Sequence, residues 1–110
     1  MPRPLALLVD DDPSCVDALT EIVQEHGFES LTAATLADAE RLVGTQSPDV
    51  MLLDLLLPDG QSREFLARGV KSATGRVVLI TGHPSVESAV DAMRLGAVDY
   101  LVKPLDWQRL

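Results

Sequence analysis

Four apolar runs in this chain each stop abruptly at a polar residue. Leu5–Val9 runs into Asp10-Asp11-Asp12, Val50–Leu53 into Asp54, Val77–Ile80 into Thr81, and Tyr100–Val102 into Lys103. A further run, Leu31–Ala34, lies between the first two. Apolar runs without polar alternation suit strands covered on both faces, the condition of a parallel sheet.

Amphipathic stretches separate the runs. Cys15, Val16, Leu19, Ile22 and Val23 fall on one face at helical spacing. Asp12 is placed to cap that helix, with Pro13 at its first position and Gly27 as its stop. Thr35 is placed to cap a second helix that turns Leu36, Ala39 and Val43 inward. Val86, Ala89, Val90 and Met93 form a third stripe between Ser85 and Gly96, and Ser62–Lys71 is a weaker helix interrupted by Gly69. Asp106–Leu110 reads as the first turn of one more. Strands alternating with helices imply right-handed crossovers and an open α/β sheet. Because only one turn of the final helix is present, the chain reads as part of a longer protein, or as one whose uncovered sheet face a partner completes.

In a parallel sheet all strand carboxyl ends share one edge, and ligands bind there at the topological switch point. Asp10, Asp11, Asp54, Thr81 and Lys103 are therefore expected to converge. The charge distribution agrees: residues 1–60 carry 12 acids and 2 bases, and residues 61–110 carry 5 acids and 7 bases. The acidic half calls for a cation. The overall charge of −8 disfavours direct contact with nucleic acid. One cysteine excludes an internal disulfide and a cysteine zinc cluster. No apolar stretch is long enough for a signal peptide or a membrane span, so a cytoplasmic protein is expected. At 110 residues, 46% hydrophobic and 24% charged, the chain fits one globular domain.

Carboxylates crowded at one edge repel, shift their titration, or bind a cation. An oxygen-only site suits Mg²⁺ rather than zinc. With Mg²⁺ and Lys103 supplying positive charge, one carboxylate can attack phosphorus to give an aspartyl phosphate, whose oxygens Thr81 and Lys103 would bind.

The motifs Leu-Val-Asp-Asp-Asp at 8–12, Leu-Leu-Asp-Leu-Leu-Leu-Pro-Asp-Gly at 52–60, Thr-Gly-His at 81–83 and Asp-Tyr-Leu-Val-Lys-Pro at 99–104 resemble the receiver domain of two-component response regulators. The resemblance covers nearly all of residues 1–110. It implies a flavodoxin-like open parallel five-stranded sheet, order 2-1-3-4-5, with helices on both faces. It implies Asp54 as phosphoacceptor and a Mg²⁺ site formed by Asp10, Asp11, Asp54 and the Leu56 backbone carbonyl. Thr81 matches the family's switch hydroxyl, Lys103 the lysine that pairs with the phosphoryl group, and Tyr100 the aromatic that moves with the hydroxyl. Lys103-Pro104 matches a peptide bond usually cis in the family.

The implied partners are a sensor histidine kinase, an output domain outside the chain that binds DNA and regulates transcription, and a second copy in a homodimer. The stretch Thr81–Asp106 most resembles receivers of sigma-54-dependent activators. Such a domain is a regulatory phosphoacceptor rather than an enzyme. Ser62 departs from the pattern, standing where receivers usually carry glycine, and Gly60 is expected to take the turn instead.

Plainer readings exist for single residues. Asp12 is better explained as a helix cap than as a metal ligand. His83 is as readily an exposed loop residue as a neighbour of the site, and Cys15 reads as a packed thiol. Arg63, Arg68, Lys71 and Arg76 read as a solvated face. Two other functions compete. A pseudo-receiver would keep the fold without phosphorylation, against which the complete Asp10, Asp11, Asp54, Thr81, Lys103 set argues. A haloacid-dehalogenase-like phosphatase would need a second aspartate two residues after the nucleophile, where this chain has Leu56.

Overall fold

The computed structural model describes residues 3–54, 56–58, 60–61, 76–82, 94 and 99–102. The elements are β1 (Leu5–Val9), α1 (Pro13–Glu25), β2 (Glu29–Ala33), α2 (Leu36–Gln46), β3 (Val50–Asp54), β4 (Leu56–Leu57), β5 (Gly60–Gln61), β6 (Arg76–Thr81) and β7 (Asp99–Val102). The helices expected at Ser62–Lys71 and Asp106–Leu110 lie outside the described residues. So does that between Ser85 and Gly96, apart from Arg94, which is helical.

Five strands form one parallel sheet in the order β2-β1-β3-β6-β7, the flavodoxin-like order implied by the motifs. Pleat alternation sends successive side chains to opposite faces, giving two cores. On one face Leu7, Val9, Met51, Leu53, Val77 and Leu79 pack with Leu36, Ala39 and Val43 of α2. On the other Ala6, Leu8, Leu52 and Ile80 pack with Leu19 and Val23 of α1. Leu7, Leu8, Leu53 and Leu79 are completely buried, as central strands covered on both sides must be.

Both helix starts follow the local chemistry of the sequence. The Asp12 side chain accepts from the Ser14 N–H at 3.1 Å, and Pro13 occupies the position whose missing N–H costs nothing. Thr35 Oγ1 accepts from the Asp38 N–H at 3.2 Å. α1 ends in a Schellman motif. The Phe28 N–H donates to Val23 O at 2.9 Å and the Gly27 N–H to Gln24 O at 3.1 Å, with Gly27 at φ +86°. His26 Nδ1 lies 2.9 Å from Ile22 O and covers a last-turn carbonyl. α2 instead closes on Ser47 in the left-handed region at φ 49°, which is unusual for a residue with a Cβ.

Two features differ from expectation. β2 begins at Glu29 rather than Leu31, because an edge strand half open to solvent needs no continuous apolar run. The segment after Asp54 forms a small antiparallel hairpin, β4 with β5, pairing Leu57 with Gly60. Gly60 opens β5 at φ +150°, a backbone conformation that side chains with a Cβ rarely adopt. Ser62 itself lies outside the described residues. No helix among the described residues is long and apolar enough to cross a membrane.

Candidate functional site

The register of the sheet brings the acidic residues together. Val9 pairs with Leu53, so Asp10 and Asp54 follow at the same level on adjacent strands. Both continue the pleat face of Leu8 and Leu52, which is the α1 side. Asp54 pairs with Ile80, which sets Thr81 one residue further along the neighbouring strand. The Asp10 N–H donates to Ala33 O at 3.0 Å, extending the β1–β2 pairing by one residue and anchoring Asp10 to the sheet.

Carboxylate oxygens of Asp10, Asp11 and Asp54 lie within 4.8 Å of one another. Asp10 is 3% exposed, Asp54 8% and Thr81 1%, whereas Asp11 is open to solvent, so the cluster is walled by the sheet and reached from the Asp11 side. A cleft of about 210 Å³ adjoins it, lined in part by Asp10, Asp11, Asp17 and Thr32. The Asp10 carboxylate is fixed through Oδ1, which accepts from the Asp12 N–H at 3.0 Å.

This donor set fits a hard divalent cation. All three groups offer oxygen, and opposed ligands on one ion with bonds of about 2.0–2.6 Å lie roughly 4–5 Å apart, which matches the observed spread. Without an ion, two buried carboxylates at this separation repel by about 3 kcal/mol at an effective dielectric near 20.

The structure therefore brings together Asp10, Asp11 and Asp54, with Thr81 at the end of the adjacent strand. Asp12 serves the helix cap, as the plainer reading held. Leu56 lies in β4, two residues past Asp54. Tyr100 lies on β7 with its backbone opposite Leu79, and its side chain is outside the described set. Lys103, Pro104 and His83 also lie outside the described residues. Sequence reasoning missed the hydrogen bond from the Asp12 N–H to Asp10, although Asp-x-Asp ahead of a helix is a signal for such an Asx turn.

Comparison with known proteins gives a consistent picture. Residues 6–110 match the response regulator receiver domain. The alginate biosynthesis transcriptional regulatory protein AlgB of Pseudomonas aeruginosa is 40% identical over 99 residues, covering 89% of this chain and 22% of that protein. The chain thus spans about a fifth of that relative's length. The beryllofluoride-activated NtrC4 receiver domain dimer superposes with a TM-score of 0.88 at 36% identity, covering 96% of this chain and 88% of that one. A Burkholderia pseudomallei response regulator with a phosphorylated aspartic acid, calcium ion and citrate superposes with a TM-score of 0.88. It is 24% identical, covers 96% of this chain and 63% of that one, and shows likeness of fold. A parallel sheet of this order, acids gathered at its carboxyl edge and a family match over nearly the whole length lead to one conclusion: the chain belongs to the receiver domain family of two-component response regulators.

Proposed function

We propose that Asp54 accepts a phosphoryl group from the phosphohistidine of a sensor histidine kinase, with Mg²⁺ held by Asp10, Asp11, Asp54 and the Leu56 backbone carbonyl. The observation that carries this reading is the meeting of three carboxylates within 4.8 Å at the ends of β1 and β3. Magnesium is favoured over other cations because it takes oxygen ligands and keeps several waters, which the open Asp11 side accommodates. When bound, it offsets the negative charge of the carboxylates and of the incoming phosphoryl oxygens.

The chain's own residues do the rest. An Asp54 carboxylate oxygen attacks phosphorus as the bond to the donor's imidazole nitrogen breaks, and the electron pair leaves with that nitrogen. Burial of Asp54 by the surrounding strands limits the approach of water and favours a phosphoryl group that persists. The Thr81 hydroxyl and the Lys103 ammonium bind phosphoryl oxygens, and movement of Thr81 is answered by Tyr100. A phosphorylation switch of this kind biases a two-state surface. That surface controls a DNA-binding transcription regulator elsewhere in a longer protein, of which residues 1–110 are the receiver, working in the cytoplasm and as a homodimer when active. Similarity to AlgB, a transcriptional regulatory protein, and to the NtrC4 receiver dimer supports this output. The domain is a regulator, and no steady turnover of phosphate monoesters is expected.

The test is the intact mass of the chain after incubation with acetyl phosphate, with and without Mg²⁺, beside Asp54→Asn. A single phosphoryl adduct that requires both Mg²⁺ and Asp54 is expected. An adduct of equal yield on Asp54→Asn, or none on the folded wild type, refutes the assignment.

A further inference from the structure

A backbone carbonyl is not aimed by its own side chain. The peptide plane that carries it is set by the two residues that the plane joins. The Leu56 carbonyl lies in the plane between Leu56 and Leu57, and Leu57 is 6% exposed. Leu57 belongs to the core on the α2 face, together with Leu36, Ala39, Val43 and Leu53. Asp54, three residues earlier, ends β3 on the opposite face, the α1 side. Leu56 therefore lies between two anchors, the sheet at Asp54 and the α2 core at Leu57.

The hairpin itself rests on α2. Leu57 pairs across it with Gly60, which sits at φ +150°. A Cβ on Gly60 would stand 3.4 Å from Leu36 Cδ1, so the first residue of α2 reaches the hairpin at this glycine. The pair that closes the hairpin is thus also the place where it meets α2.

We propose that Leu57 is a positioning residue for the cation site: its burial on the α2 face pins the peptide plane that carries the Leu56 carbonyl. The proposal rests on the reading of Asp10, Asp11, Asp54 and that carbonyl as the Mg²⁺ site. Magnesium demands near-ideal octahedral geometry, so a displaced ligand costs affinity. A backbone ligand ordered before the ion arrives also loses less freedom on binding. Volume carries the effect, and an unbranched apolar side chain of similar size serves in place of leucine.

The test is a Mg²⁺ titration of the chain followed by NMR, reading affinity, the amide spectrum as a check on folding, and the carbonyl carbon shift of Leu56. In the wild type that carbon is expected to shift as the ion binds. Leu57→Met keeps the volume and is expected to bind within about twofold of wild type. Leu57→Ala is expected to bind about tenfold more weakly, the scale seen when a support of a metal ligand is removed, with a smaller Leu56 shift. Leu57→Val, one methylene smaller, takes its place if Leu57→Ala does not fold, with binding expected to be about threefold weaker.

Val43→Ala is the control for general loosening: Val43 is 5% exposed in the same core but lies further along α2. Its Mg²⁺ affinity and Leu56 shift should match wild type. The proposal is overturned if the folded small-side-chain variant at Leu57 binds as tightly as wild type, if Leu57→Met is as weak as that variant, or if Val43→Ala is. A Leu56 carbonyl carbon that Mg²⁺ leaves unmoved in the wild type overturns it too, while the carboxylate site stands. A folded wild type that binds no Mg²⁺ refutes the metal-site reading, and this proposal with it.

Discussion

Replacing Asp54 with asparagine should stabilise the metal-free protein, because the folded sheet holds two buried carboxylates against each other. Asp10 and Asp54 place oxygens within 4.8 Å at 3% and 8% exposure, so little solvent screens them. At an effective dielectric near 20, that separation corresponds to about 3 kcal/mol of repulsion, which the unfolded chain largely avoids. Asparagine keeps the size of the side chain but loses the charge-assisted bonds that a carboxylate accepts, a loss of about 1–2 kcal/mol. The difference leaves a net gain of about 1–2 kcal/mol. With a urea slope of about 1–3 kcal/mol per molar, the unfolding midpoint should rise by roughly 0.3–2 M in EDTA.

Magnesium should narrow this difference. At about ten times its Kd it stabilises the wild type by about 1.4 kcal/mol, because it binds the folded state. Asp54→Asn, which would lack one ligand of the proposed site, should gain less than half of that. The assay is urea unfolding of both proteins by circular dichroism, in EDTA and in excess Mg²⁺. A midpoint for Asp54→Asn that falls in EDTA, or a Mg²⁺ response equal to wild type, would refute the idea that carboxylate repulsion at this edge is relieved by a cation.

Other outcomes follow from the fold. Leu53→Ala, on a central strand and wholly buried, should cost about 2–5 kcal/mol in urea unfolding. Gly27→Ala should cost about 1 kcal/mol, since its φ of +86° penalises a Cβ; an unchanged midpoint would show that the turn rearranges freely. Ser47→Gly should act in the opposite sense and raise stability by up to about 1 kcal/mol in the same assay, because Ser47 already occupies the left-handed region at φ 49°.

The parts of this structure that were legible in the sequence are those governed by local chemistry. Asp12-Pro13 announces a helix start and Gly27 its end, and both functions are met by hydrogen bonds within a few residues. The runs ending at Val9, Leu53 and Ile80 are legible because burial on both faces leaves no polar position inside them. β2 was misjudged at its start for the converse reason: Glu29 and Ser30 are tolerated at an edge, where a polar side chain meets water. The β4–β5 hairpin escaped notice because two-residue strands are too short to carry a period. At the site, convergence of Asp10 and Asp54 followed from strand ends sharing an edge. The level at which they meet depends on Val9 pairing with Leu53, a register that residue pattern alone does not dictate. One bond that Asp10 accepts comes from a backbone N–H, which every residue but proline possesses and no side-chain pattern reveals.

The strand order has a consequence for how the chain assembles. β1 is first in sequence yet lies inside the sheet, with β2 on one side and β3, β6 and β7 added on the other in the order in which they are made. Once β1 has joined β2, each later strand docks at a single growing edge and never needs to be inserted between strands already paired. By the time Asp54 has emerged, β2, β1 and β3 can form a three-stranded nucleus with a helix on each face. Parallel pairing demands long crossovers and is slow for that reason. An assembly that proceeds from the amino terminus toward one edge shortens the search by leaving only one place for the next strand to go.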